Sequence, residues 1–278
     1  MSDPSKPDQH DIDPPSVVQS SERGRSLAQQ ERQRQMLVIA RSRGSVAVAD
    51  LVTELGVSVE TVRRDLSVLE SHGLVRREYG QAFPVETAAY ESDLETRKIS
   101  HTEEKRRIAA EAVRHLEDAE TLFIDEGFTP QVIARSLPER RLRVVTASLP
   151  IASLLADRDL VSVYLLGGRV RRNTLGVVDH WAVEMLSGFV IDVAFIGANA
   201  ISRDRGLTTP DPAVAEVKKT AVRVSRRRVF TGVSAKFAVS SFCRFADVAD
   251  LDVIVSDRRL SSSEAERYAA LGPTVVRV

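Results

Sequence analysis

The chain has 278 residues, room for one small and one medium domain. Hydrophobic residues make up 43% and charged residues 28%, and no apolar run approaches the roughly 20 residues that span a bilayer, so no transmembrane helix is expected. Lysine plus arginine and aspartate plus glutamate are balanced at 39 each, so any attraction to a polyanion must come from a local excess of charge.

Residues 1–25 are rich in Pro, Ser and Asp and almost free of apolar side chains, which predicts a disordered acidic tail. The pattern changes at Ser26. Residues 27–41 read as a helix with Met36, Leu37, Ile39 and Ala40 inward, ended by Gly44. Val46 and Val48 alternate with small residues, as in a short strand. Residues 50–55 read as a second helix. Ser58 is a good N-cap for a third helix over 58–72, closed by Gly73. Its apolar residues Val59, Val62, Leu66 and Leu69 fall at helical 3-4-3 spacing, so Glu60, Thr61, Arg63, Arg64 and Ser67 point the other way. One face for a partner helix and one for a major groove is the layout of a helix-turn-helix. Residues 74–83 then read as a strand and a Gly turn, the hairpin wing of a winged helix-turn-helix, pairing with the Val46 strand. The domain is expected over 26–83.

Charge agrees with this. Residues 1–22 hold five acids (Asp3, Asp8, Asp11, Asp13, Glu22) against Lys6, whereas residues 23–77 hold ten arginines against six acids. The basic excess lies where phosphate contact is expected. Ser58, Glu60, Thr61, Arg63, Arg64, Arg76 and Arg77 are the candidate contacts to double-stranded operator DNA, with Arg63 and Arg64 on phosphate or guanine edges and the wing arginines on the backbone. One recognition helix reads only a few base pairs, so a homo-oligomer on repeated half-sites is expected.

Residues 84–100 read as a charged linker with some helix. From 101 to 278 short continuous apolar runs alternate with helical patterns: strands near 121–125, 143–148, 161–167, 190–197, 228–233, 252–257 and 274–278, with helices between them. Such runs suit strands covered on both faces, so the expected fold is an α/β domain with a mainly parallel, Rossmann-like sheet.

Ligands in such domains sit beyond the carboxyl ends of the strands. The residues there are Asp125, Glu126, Gly127, Phe128 and Thr129, then Thr146 and Ser148, Gly168 and Arg169, Gly197 and Asn199, with Lys218 and Lys236 further on. A Gly turn entering a helix N-terminus attracts anions. Together these small, hydroxyl and cationic residues predict a pocket for a small anionic metabolite, while Arg171 and Arg172 read as solvated surface. No G-x-G-x-x-G opens a helix and no P-loop is present, so no dinucleotide cofactor is expected. The five histidines are scattered without metal-ligand spacing. The single Cys243, between Phe242 and Phe245, reads as a small core residue and cannot form an internal disulfide. With no basic-then-apolar signal at the N-terminus, a cytoplasmic location is expected.

Val57-Ser58, Thr61-Val62-Arg63-Arg64-Asp65-Leu66 and Gly73-Leu74-Val75-Arg76 resemble the signature of the DeoR family of bacterial transcriptional regulators. Leu165-Leu166-Gly167-Gly168, Asp192-Val193-Ala194-Phe195-Ile196-Gly197, Gly206-Leu207-Thr208-Thr209 and Lys236-Phe237 extend the resemblance over most of residues 26–278. It implies a repressor of carbohydrate genes, released from DNA by a sugar phosphate or related metabolite, with a sensor fold related to ribose-5-phosphate isomerase. That isomerase carries an acidic D-G-A-D-E strand end for proton transfer; the similar segment here is Gly197-Ala198-Asn199-Ala200, without acids, which implies binding without turnover. Departures from the family pattern are Phe128 in the phosphate loop, Ala147 within Thr146-Ala147-Ser148, Tyr79-Gly80-Gln81-Ala82 in the wing, and Ala235 between Ser234 and Lys236. Two alternatives stay open: an isomerase-like enzyme with a DNA-binding appendage, using Asp125, Glu126 or Glu216, and a ligand-insensitive DNA-binding protein.

Overall fold

The computed structural model describes residues 28, 29, 31–40, 43, 45–71, 74–78, 80–84 and 101–278. The expected tail at 1–25 and all but the first residue of the expected linker at 84–100 lie outside them, as do His72, Gly73 and Tyr79. The chain divides into two compact units, Met1–Pro84 and Val85–Val278.

In the first unit, helix α1 (31–40) buries Met36, Leu37 and Ala40. Helix α2 (Val48–Leu55) ends at Gly56, whose φ of 62° is the left-handed conformation that lets its N–H reach back to the Val52 carbonyl. Helix α3 (Val59–Ser71) follows after the turn. Strand β1 (Val46–Ala47) pairs antiparallel with β3 (Gln81–Pro84), and β3 with β2 (Val75–Glu78), so the wing pairs with the Val46 strand as expected. Gly80, at φ 77°, makes the hairpin turn. Val48, expected in the strand, instead opens α2.

Two features of α3 differ from the apolar stripe. Val62, Leu66 and Leu69 are buried, but Val59 is 44% exposed, because no earlier turn of its own helix covers the first position. Asp65, by contrast, is 1% exposed. Its carboxylate accepts from Arg32 Nε at 2.6 Å and from the side-chain amides of Gln29 and Gln33 at 3.0 Å each, which joins α3 to the segment containing α1. A buried charge survives only with such partners.

The second unit opens with helix α4 (Thr102–Arg114) and is built on a parallel seven-stranded sheet. In chain order the strands are β4 (Thr121–Ile124), β5 (Leu142–Thr146), β6 (Val161–Leu165), β9 (Ile191–Ile196), β12 (Ser225–Thr231), β14 (Val253–Ser256) and β15 (Thr274–Arg277). Their order across the sheet is β15-β14-β12-β9-β4-β5-β6. Successive residues point to opposite faces. Leu122, Ile124, Val144, Val193 and Phe195 therefore pack with α4, α5 (Phe128–Arg135) and α6 (Leu149–Leu155). Phe123, Val145, Ala194, Ile196 and Phe230 pack with α7 (His180–Ser187), α8 (Pro212–Val224) and α9 (Ser262–Ala269). Short antiparallel strands not expected from sequence lie beside the sheet: the hairpin β7 (Arg169–Val170) with β8 (Val177–Val178), and β10 (Ala200–Ser202), β11 (Gly206–Thr209) and β13 (Cys243–Ala246). Cys243 is only half-buried and its neighbour Phe242 is 80% exposed, so the expected core position belongs to Phe245 rather than to the cysteine.

Candidate DNA-reading face and sensor mouth

The start of α3 is fixed by Ser58. Its Oγ accepts from the Thr61 N–H at 3.2 Å, and its carbonyl accepts from the Val62 N–H at 3.1 Å. That cap replaces a backbone partner the first turn lacks. Thr61 Oγ1 lies 2.9 Å from Ser58 Oγ. Glu60, Arg63 and Arg64 are exposed on the side of α3 opposite Val62 and Leu66, and Thr61 is half-buried at its edge. Arg77, expected on the DNA backbone, is already engaged: its Nε donates to Glu70 Oε2 at 2.7 Å, its N–H to Glu70 Oε1 at 3.1 Å, and its Nη1 to the Arg63 carbonyl at 3.4 Å. Those hydrogen bonds hold the Glu70 carboxyl below the usual glutamate range. Arg77 thus clamps β2 to α3. Arg76 lies in β2, paired with Phe83.

In the second unit the carboxyl ends of β4, β9 and β12 bring distant residues together. Asp125 is 1% exposed and Lys218 4%, and the two form an ion pair between the end of β4 and α8. Asp125 also accepts from the Gly197 N–H and the Glu126 N–H, each at 2.9 Å. Glu126 is buried too, with Arg171 Nη1 3.4 Å from its Oε1 and Thr174 Oγ1 hydrogen-bonded to it. Arg171 Nε is 3.2 Å from Asp211 Oδ2. Asp211 in turn caps α8, accepting from Ala213 N–H at 2.8 Å and Val214 N–H at 3.3 Å. Gly127 enters α5 at φ 121°, and Lys105 of α4 stands 5.7 Å from the centre of the half-buried Phe128 ring. Lys236 Nζ donates to the Ala198 carbonyl at 2.7 Å, and Thr209 Oγ1 to Asn199 Oδ1 at 3.1 Å.

Two other expected ligand residues, Thr146 and Ser148, are committed to the backbone. Thr146 Oγ1 donates to the Ile124 carbonyl at 2.7 Å and accepts from the Ser148 N–H at 3.1 Å. Ser148 Oγ caps α6 through the Ile151 N–H. Both side chains are fully buried. Gly168 leaves space for the Val178 carbonyl, which a Cβ would meet at 2.3 Å. Arg169 is exposed and pairs with Asp179 at 2.8 Å. Thr129 is buried at the start of α5. Arg171, read as surface, is instead 9% exposed and central to the cluster, because its two carboxylate partners lie on other elements; Arg172 is exposed as expected. Lys105, Thr174 and Asp211 also belong to this neighbourhood and carry no local sequence signal. Among the described residues no group of three His, Cys, Asp or Glu side chains is placed to hold a metal ion.

A winged helix-turn-helix with an outward pair of arginines, followed by an α/β unit with charged strand ends, defines the class of two-unit DNA-binding regulators. A family model described as a DeoR-like helix-turn-helix domain matches residues 32–87, and one described as the DeoR C terminal sensor domain matches residues 100–258. The HTH-type transcriptional regulator GlpR of Haloferax volcanii is 30% identical over 88% of this chain and 96% of that protein. The glycerol-3-phosphate regulon repressor of Escherichia coli strain K12 is 28% identical over 83% of this chain and 92% of its own. Among solved structures, ribose 5 phosphate isomerase A from Neisseria gonorrhoeae matches with a TM-score of 0.37 at 19% identity, over 49% of this chain and 54% of that one. The chain belongs to the DeoR family.

Proposed function

We propose that this protein is a sequence-specific transcriptional repressor of carbohydrate-metabolism genes, released from its operator when a sugar phosphate or related metabolite occupies the strand-end site of the second unit. The observation that carries the DNA-binding half is α3 itself: Val62, Leu66 and Leu69 are buried, while Glu60, Arg63 and Arg64 are exposed. The site residues are Ser58, Glu60, Thr61, Arg63, Arg64, Arg76 and Arg77 for DNA, with Arg77 acting through the position of the wing. For the effector they are the Asp125–Thr129 loop, Gly197, Asn199, Lys218, Lys236 and Arg171. Relatives named as a glycerol-3-phosphate regulon repressor and an aga operon repressor support the metabolite class. The site is read as binding rather than catalytic, because Asp125 and Glu126 are held by Lys218 and Arg171 instead of being poised for proton transfer. Operator binding as a homo-oligomer in the cytoplasm completes the proposal.

A gel shift with the purified full chain and the DNA upstream of its own and neighbouring genes, with and without sugar phosphates, tests this. The expected result is a shift reversed by one metabolite. Absence of any shift overturns the DNA-binding half, and a shift that no metabolite reverses overturns the release half. Arg64→Ala is expected to weaken operator binding by about 1–3 kcal/mol; unchanged affinity removes Arg64 from the reading face.

A further inference from the structure

The charged cluster at the strand ends of the second unit contains its own anion. The Arg171 guanidinium is 9% exposed, and it is covered by Glu126 on one side and Asp211 on another. A negatively charged group arriving at Arg171 meets two carboxylates already there, and like charges at such distances repel strongly away from water. One carboxylate must therefore leave. Asp211 is fixed, since it caps α8 with two backbone N–H groups. Glu126 reaches Arg171 on a longer stem from the loop that precedes α5, and its carboxylate is held there by Arg171 and by the Thr174 hydroxyl rather than by backbone N–H groups of a helix.

The backbone is shaped around this carboxylate. A Cβ on Gly176 would stand 1.7 Å from Glu126 Oε2. Gly176 does not adopt the left-handed conformation, so its role is space and not backbone freedom. Gly176 lies in the loop of the β7–β8 hairpin, and its carbonyl accepts from the Arg171 N–H at 2.8 Å. Hairpin, arginine and glutamate are thus one unit.

We propose that Glu126 is a built-in competitor for the anionic group of the effector: its carboxylate holds Arg171 in the effector-free sensor, and an anionic ligand gains the guanidinium by displacing it. This rests on the reading of the strand-end site as one for an anionic metabolite. Glu126 thereby sets the concentration at which the sensor responds, without touching DNA. It is a specificity-determining residue, because an uncharged polyol cannot exchange with it on Arg171.

The test is calorimetric titration of the full chain with inorganic phosphate and with glycerol 3-phosphate, with glycerol as the uncharged control. Glu126→Gln keeps size and hydrogen-bonding capacity while removing the charge, and Glu126→Ala removes the side chain. Both variants are expected to bind at least one phosphate about tenfold more tightly than the unaltered protein, or about 1.4 kcal/mol, with no change for glycerol. Gly176→Ala, which pushes the carboxylate aside, is expected to act in the same direction and to add nothing in the Glu126→Ala background. Thermal unfolding without ligand establishes that each variant is folded. Equal or weaker phosphate binding in the Glu126 variants, including no binding by any of the proteins, overturns the proposal. Failure of every metabolite to dislodge the unaltered protein from DNA is a separate result: it overturns the release mechanism, whereas tightened phosphate binding would still establish Glu126 as the competitor.

Discussion

Asp65 shows how one side chain can hold a small unit together. Its carboxylate serves Arg32, Gln29 and Gln33 at once, so Asp65→Ala removes three hydrogen bonds and leaves a partly buried guanidinium without its counter-ion. Arg32 keeps some contact with water, which limits the loss to about 1–3 kcal/mol. Urea unfolding of the first unit should show that loss, with Asp65→Asn milder; an unchanged midpoint would remove Asp65 from the stabilising set. His115 makes a different statement, about pH. Burial, and then the nearby Arg227, hold its imidazole below the ordinary histidine value, despite Glu111 and Glu117. The unfolded chain then binds the proton more readily than the folded one, so stability rises with pH across that interval. Above the ordinary histidine value of about 6.5 both states are neutral and the effect vanishes. As pH falls below it, stability is lost until the folded-state value is reached. His115→Gln should flatten the thermal-stability profile in that acidic window and leave it unchanged at pH 8. An identical slope in both proteins would assign the acid sensitivity to other groups.

At the scale of elements, the Asp125–Lys218 pair ties α8 to the loop between β4 and α5. Both side chains are nearly inaccessible. Removing one member of a buried pair costs about 3–5 kcal/mol, mostly because the other charge is stranded. Asp125 retains the Gly197 and Glu126 N–H groups, so Lys218→Met should fall at the lower end, about 3 kcal/mol. Asp125→Asn with Lys218→Met should cost less than the sum of the single changes in a double-mutant cycle. Strict additivity would mean that the pair carries no coupling. The elements themselves were largely visible in the sequence. The seven parallel strands read as short apolar runs because helices cover both faces, and the helices between them kept their own periodicity. The antiparallel strands β7, β8, β10, β11 and β13 were not visible, because segments of two to four residues are too short for an alternation to register.

For the whole molecule, the proposed mode of action needs more than one copy of α3 on DNA, since a single recognition helix spans only a few base pairs. Deleting one half-site from the operator should therefore weaken binding far more than Arg64→Ala does. The logarithm of the affinity should also fall linearly with the logarithm of salt concentration, with a slope set by the phosphate contacts. Equal affinity for a single half-site would argue for a monomeric reader.

The two faces of α3 were legible because capping, helix periodicity and local charge act over a few residues: Ser58, the buried Val62, Leu66 and Leu69, and the outward Arg63 and Arg64 proposed to read DNA all lie within one helix and its cap. By itself the sequence determined the winged helix-turn-helix, the parallel α/β unit and the strand-end residues, since each follows from local periodicity. Tertiary structure alone decided the state of the charges. Arg171 meets Glu126 across 45 residues and Lys218 meets Asp125 across 93, separations over which no periodic pattern operates. Only burial, which strips water from these groups and makes each require a partner, reveals which of the residues at the strand ends form one cluster.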